Sequence, residues 1–404
     1  MNIILAPDSF KGTLTAPQAA IALATGLRQS LPQATIVQLP FADGGEGTLD
    51  TLQSVLEGTR YFVSVQNAVG QLNPVPIYRC QPQGKPAAVL EAATVVGITD
   101  LAALQQPVQQ RSTIGLGDLV RWALDQEIPQ LFIGLGGSCT NDGGAGLLAA
   151  LGVQFFNAAG EPLPPNPAGL SQLAAVDCTN LDCRIFDREL VILSDVDCPL
   201  CGTQGATHTF GRQKGLVDPQ ERDRVDQHLR HFATLTEQAL LQQKPESSHS
   251  LGTHLRPGAG AAGGLGFALQ LLGGTYQSGA SLIAEWMDLP SRLSQADWLI
   301  TGEGCSDRQT LAGKAPWISA QMAQAQEVPV TLLSGAIVPA DLADLEQAFQ
   351  GACLSLSPGA SCCFSHSEAP SSPEDSKQNA ANWLIKAGIQ LGIQWSQGAF
   401  QKRP

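Results

Sequence analysis

Acidic residues stand beside glycines just after each of several short apolar runs, and cations lie close to them in sequence. Residues 2–6 lead into Asp8, Ser9 and Lys11, and residues 34–39 into Asp43, Gly44, Gly45 and Glu46. Residues 131–134 lead into Gly136, Gly137, Ser138, Asn141 and Asp142, and residues 190–193 into Asp195 and Asp197. Residues 298–301 lead into Gly302, Glu303, Gly304, Asp307, Arg308 and Lys314, while Arg212 and Lys214 follow a further glycine. Glycines let the backbone come close to a ligand. Carboxylates two apart in an extended loop, as Asp195 and Asp197 are, project to one side and suit Mg²⁺, which takes one or two carboxylates together with phosphate oxygens. Lysines and arginines supply the opposite half, an anion site. This is an inventory for phosphoryl transfer, where catalysis is mainly positioning and charge neutralisation. For Asn141 and Asp142 the competing expectation is helix capping, and for Asp195 and Asp197 it is a local turn.

Other chemistries lose their motifs. No G-x-x-x-x-G-K-[ST] phosphate loop and no G-x-S-x-G nucleophile elbow occurs. Gly258, Gly260 and Gly263 satisfy G-x-G-x-x-G, but they follow Arg256 and Pro257 instead of an apolar strand, so the dinucleotide context is missing. Cys198 and Cys201 form one C-x-x-C without a second ligand pair at zinc spacing. The ten cysteines are dilute in 404 residues and read as reduced structural thiols.

The elements that must carry these loops follow from periodicity. Residues 2–6, 17–31, 34–39 and 48–56 read strand, helix, strand, helix, with Pro32 ending the first helix. The rhythm returns at 298–301, 317–325, 330–333, 341–349, 352–356 and 379–393. Between them lie a hairpin-like pair (62–65 and 75–78) and separate strand cores at 131–134 and 190–193. The expected class is α/β with two α/β domains: a Rossmann/flavodoxin-like parallel-sheet domain built from residues 1–61 plus 291–404, and a middle domain inserted as residues 62–290. Segments 245–250 and 357–376 read as loops. In a parallel sheet, loops at the carboxyl ends of strands share one edge, where ligands bind.

A formal net charge of −13 opposes non-specific nucleic-acid or anionic-membrane binding, and no apolar run reaches the length of a membrane span. The N-terminus has no basic leader, so a cytoplasmic protein acting on small molecules is expected, with a homo-oligomer left open.

The strings APDSFKGTLTA (6–16), ADGGEGT (42–48), GGSCTNDGGAG (136–146), SDVDCPLCG (194–202), FGRQKG (210–215), PGAGAAGGLG (257–266) and ITGEGCSDRQTLAGKAP (300–316) closely resemble the bacterial glycerate kinase family of glycolate and glucarate catabolism. The resemblance implies ATP- and Mg²⁺-dependent phosphorylation of D-glycerate, with 2-phosphoglycerate the favoured product and the active site between two α/β domains. Beside it, the residues themselves give the expected catalytic set Asp8, Lys11, Asp43 and Asp195: Lys11 on a transferring phosphate or the glycerate carboxylate, Asp8 or Asp43 orienting or deprotonating the acceptor hydroxyl, and Asp195 with Asp197 on the metal. The other strand-end residues named above, Lys214 included, would bind glycerate or ATP. The chain departs from the family pattern at Cys139, Cys198, Arg212 and most of all at Cys305 and Ser306, where the family reads Arg and an apolar residue. Arg308 is the expected substitute for that missing cation. Two alternatives remain beside the kinase: a binding or regulatory protein with an impaired kinase site, and a metal-dependent hydrolase using Asp195 and Asp197.

Overall fold

The structure, a computed structural model, describes residues 1–244, 251–350, 353–356 and 373–398. The chain divides into two compact units. One comprises Met1–Asp43, Asp50–Leu56 and Ser278–Pro404, the other Gly44–Leu49 and Glu57–Gln277.

The first unit holds strands β1 (Asn2–Pro7), β2 (Thr35–Gln38), β11 (Trp298–Ser306), β12 (Val330–Ile337) and β13 (Cys353–Ser355). They form one sheet in the order β13-β12-β11-β1-β2, and every pairing is parallel. This is the flavodoxin-like order, in which the connection reverses direction between β1 and β11. The β1 run is buried from Ile3 to Pro7, as a strand covered on both faces must be. Helix Ala16–Ser30 begins at a capping box between Thr15 and Gln18 and buries Leu23 and Leu27 against Leu384 and Leu391 of helix Pro373–Ser396. Each such buried leucine contributes about 1.5–3 kcal/mol.

The second unit holds β3 (Gly58–Gln66), β4 (Leu72–Cys80), β5 (Ala87–Glu91), β6 (Gln130–Gly134), β9 (Glu189–Leu193) and β10 (Thr275–Gln277) in one six-stranded sheet, order β10-β9-β6-β5-β4-β3. The β10-β9-β6-β5 part is parallel, and the hairpin β3–β4 extends it antiparallel. A separate hairpin pairs β7 (Gln154–Phe156) with β8 (Ala175–Asp177). Leu131, Ile133, Ile192, Leu147, Phe232 and Phe267 lie in the core of this unit.

Three sequence expectations are altered. The stretch 302–306, expected as a loop, continues β11, because β12 runs on beside it and pairs Cys305 with Ala336 and Ser306 with Ile337. The long helix Pro219–Gln243, capped by Asp218 and opened by Pro219, escaped the pattern reading, as did β5. Of the two expected loops, 245–250 and 357–372 lie outside the described residues, whereas residues 373–376 belong to helix Pro373–Ser396.

Candidate active site

The residues singled out in the sequence gather into two groups, one in each unit. In the first unit, β1 delivers Asp8 to the carboxyl edge of the sheet, where the Asp8 N–H donates to Gly302 O at 2.8 Å. A tight turn follows: Leu14 N–H donates to Phe10 O, Phe10 N–H donates back to Leu14 O, and Gly12 sits at φ +79°. The turn lifts Lys11 into solvent while Asp8 stays 5% exposed. Burial, then the charge of Asp43, push the Asp8 carboxyl well above the ordinary range, against the Ser9 amide (2.6 Å) and Lys11. Ser9 Oγ is buried without a protein partner.

Glu303 is buried on β11, its Oε1 accepting from Thr310 Oγ1 (2.5 Å) and Ser306 Oγ (3.1 Å), and its Oε2 lying 3.6 Å from Lys314 Nζ. Desolvation raises its pKa, and Lys314 works against that rise. Asp307 caps the short helical turn after β11 and lies 3.8 Å from Lys314. Lys314 is thus held by two carboxylates at the rim of a cavity of about 340 Å³ that Asp8, Ser9, Lys11 and Cys305 also line.

Cys305 is largely exposed; partial desolvation, then Asp307 and Glu303, raise its thiol pKa, and a thiol cannot supply the positive charge of an arginine in any case. Arg308, the expected substitute for the missing cation, is paired elsewhere in this structure. Its guanidinium reaches outward to Asp344 at 2.7 Å and Asp341 at 3.9 Å, and the side chain is 73% exposed. The positive charges beside Cys305 are Lys314 and Lys11. Because exposed pairs are worth about 0–1 kcal/mol, Arg308→Ala is expected to change kcat and KM less than about threefold. Steady-state kinetics check this, and a large loss would return Arg308 to the site.

In the second unit, β6 ends at Gly134 beside Glu91, the last residue of β5. Glu91 is 3% exposed and accepts from Gly47 N–H (2.7 Å) and Leu49 N–H (3.3 Å), tying the Gly44–Glu46 loop to this sheet. The loops touch closely: a Cβ on Gly136 would lie 2.6 Å from Gly45 Cα. Gly137 lies over Glu46, a Cβ there falling 4.0 Å from the Glu46 carboxylate. Sequence reasoning missed Glu91, whose only signal was an acid closing an apolar run without a flanking glycine.

Asp142 is fully buried and its carboxylate is taken up inside the fold. Thr113 N–H and Thr113 Oγ1 each donate at 2.8 Å, Gly144 N–H at 3.1 Å and Gly146 N–H at 3.2 Å. Asn141 donates from Nδ2 to Thr207 Oγ1, while its Oδ1 is buried without a protein partner. Lys214, 2% exposed, donates to Thr140 O (2.7 Å) and Ser138 Oγ (3.1 Å). Burial brings its ammonium down to about 8. Arg111, also buried, donates to the carbonyls of Cys139 and Lys214 and so braces the same loop. Beyond β9, exposed Asp195 and Asp197 alternate with half-buried Val196. Cys198 and Cys201 are not joined to each other, and burial pushes their thiols up to about 11 and about 12.

Among the described residues no group of three or more His, Cys, Asp or Glu is arranged to hold a metal, and no helix is long and apolar enough to cross a membrane. The Asp195–Asp197 pair still fits the donor chemistry of Mg²⁺, which needs only one or two carboxylates when phosphates complete its shell.

Comparison with known proteins covers the whole of this arrangement. The model of the glycerate kinase family matches residues 3–393. The glycerate kinase of Neisseria meningitidis serogroup B is 36% identical over 97% of this chain and 98% of its own. The glycerate kinase of Bacillus subtilis is 39% identical over 83% of this chain and 85% of its own, and Escherichia coli glycerate 2-kinase is 33% identical over 83% and 86%. A crystal structure from Salmonella typhimurium LT2, assigned to glycerate kinase 2, superposes with a TM-score of 0.77 at 30% identity, covering 98% of this chain and 99% of that one. A match unbroken from the first strand to the last helix makes this chain a member of the glycerate kinase family.

Proposed function

We propose that this protein transfers the γ-phosphoryl group of ATP to a hydroxyl of D-glycerate, with 2-phosphoglycerate as product, in the cytoplasm and within glycolate or glucarate catabolism. The observation that carries the reading is a family match spanning residues 3–393, with relatives named glycerate kinase and glycerate 2-kinase. Asp8 suits the general base: a carboxyl raised above its ordinary range is a better proton acceptor than an ordinary one, and it sits on the edge where ligands of parallel sheets bind. It would take the proton from the acceptor hydroxyl oxygen, with Asp43 alongside. Lys11, exposed on the same turn, would neutralise charge on the transferring phosphoryl oxygens. Lys314, fixed by Glu303 and Asp307, would hold a second anionic group. At Gly302 and Gly304 neighbouring backbone fills the place of a side chain: a Cβ would lie 1.8 Å from Leu333 O at the first and 3.1 Å from Lys11 N at the second.

In the second unit, Lys214 and Asn141 shape the 136–142 loop for an anionic ligand, and Asp195 and Asp197 would hold Mg²⁺. An ion held there would supply charge neutralisation for the phosphates of the donor. Neither an impaired binder nor a hydrolase is favoured beside this match. A phosphorus NMR assay with D-glycerate, ATP and Mg²⁺ tests the reading: a new phosphomonoester signal at the 2-position is expected only with glycerate present. ADP formed without glycerate would indicate the hydrolase, and no ADP the binder. Asp195→Asn is expected to raise the Mg²⁺ concentration for half-maximal rate, and an unchanged Mg²⁺ dependence would remove the metal assignment.

A further inference from the structure

The cavity beside Asp8 has two chemically different ends. One carries Lys11 and Lys314, with the carboxyls of Asp8 and Glu303. The other is apolar, walled by Phe10, Leu356, Ala380 and half-buried Trp383. The apolar end is made by the carboxyl end of β13 and the helix Pro373–Ser396, a part of the chain whose sequence carries no recognisable site motif.

Its place in the fold follows from the topology. The cavity opens at the carboxyl ends of β1, β11, β12 and β13, represented by Asp8, Cys305, Ala336 and Leu356. It therefore includes the reversal point between β1 and β11, where open parallel sheets bind their ligands. Gly335 and Ala336 keep the β12 side of it low. A Cβ at Gly335 would lie 2.5 Å from Gly304 O, so the pairing of the two strands itself demands a glycine on this floor.

Size and polarity select the occupant. About 340 Å³ is room for a drug-sized molecule and far exceeds a three-carbon acid. Glycerate is polar on every side and leaves an indole and a leucine with nothing to cover. A nucleotide has the matching asymmetry, a polyanion at one end and a flat apolar ring at the other. We propose that this cavity binds the phosphoryl donor, with the adenine ring against Trp383 and Leu356 and the phosphate chain toward Lys11 and Lys314. The inference deepens the kinase reading and rests on it for the identity of the donor.

The test separates base from phosphate. Calorimetry with ADP, and inhibition by inorganic tripolyphosphate, are measured on the whole protein and on Trp383→Ala, Trp383→Phe and Ala336→Leu. Loss of an aromatic ring from a stacked base is expected to weaken ADP binding about tenfold or more in Trp383→Ala. Trp383→Phe should recover most of it, and tripolyphosphate inhibition and the KM for glycerate should stay as they were. Ala336→Leu, which fills the floor, should weaken ADP by a similar factor and serves if Trp383→Ala does not fold. Unchanged ADP affinity in Trp383→Ala, or in Ala336→Leu should Trp383→Ala not fold, overturns the assignment, as does a rise in the glycerate KM with ADP unaffected. A protein that binds ADP in this Trp383-dependent way yet phosphorylates no glycerate would sink the kinase reading and leave the cavity assignment standing. A fully active enzyme indifferent to Trp383 and Ala336 would do the reverse.

Discussion

Asp8→Asn is expected to lower kcat by about 10²–10⁴, the range that a positioned general base supplies. The substitution keeps size and the acceptor for the Ser9 amide while removing the site that takes a proton. The pH profile carries the more specific signal. Because burial and Asp43 raise the Asp8 carboxyl, the acidic limb of kcat/KM should lie above the pH at which an ordinary aspartate titrates, and should vanish in Asp8→Asn. Stability should move the other way. A carboxyl with a folded pKa above its unfolded value binds more protons folded than unfolded, so its contribution falls as pH rises through the window between those values. At neutral pH the native enzyme bears that cost, and Asp8→Asn should melt higher than the parent while turning over far more slowly. A variant that retains more than a tenth of the activity, with the acidic limb in place, would transfer the base to Asp43.

Asp142→Ala is expected to destabilise the second unit by about 3–5 kcal/mol, the range for breaking a buried network around a charge. The carboxylate is the common acceptor for two helix beginnings. Thr113 stands just before helix Ile114–Asp125, and Gly144 and Gly146 open helix Ala145–Ala150. Each helix start presents unpaired N–H groups and a partial positive charge, so one buried anion satisfies both. The Thr113 hydroxyl extends the network by accepting from Leu147 N–H at 3.0 Å. Alanine would leave four donors orphaned in a dry interior. Asparagine retains a single carbonyl oxygen, enough for the cluster at Oδ2, and turns an amide against Gly144 N–H, so Asp142→Asn should lose an intermediate amount. Urea denaturation measures both. Equal, small losses would mean that water enters and that the carboxylate is not the joint between the helices.

The sequence by itself determined the parallel-sheet unit made from both chain ends, because strands buried on two faces read as unbroken apolar runs such as Ile3–Ala6, and proline and capping residues mark where helices begin and stop. It also marked candidate loops for the chemistry, since glycines and acids at strand ends are local facts. The roles inside those loops depended on contacts that no spacing encodes. Asp8 and Asp142 look alike in sequence, each an acid in a glycine-bearing loop after a strand. Asp142 is saturated by four donors from two helix starts, whereas Asp8 keeps a raised carboxyl at the edge of a cavity. Arg308 lies three residues from Cys305 but is drawn to Asp344, because β11 continues through Ser306 and carries the turn beyond it toward helix Leu342–Ala348. Glu91 was marked only as an acid closing an apolar run, and Trp383 had no local mark at all. Their positions follow from strand order and helix packing, which join residues far apart in the chain through a sheet whose register only the assembled core can fix.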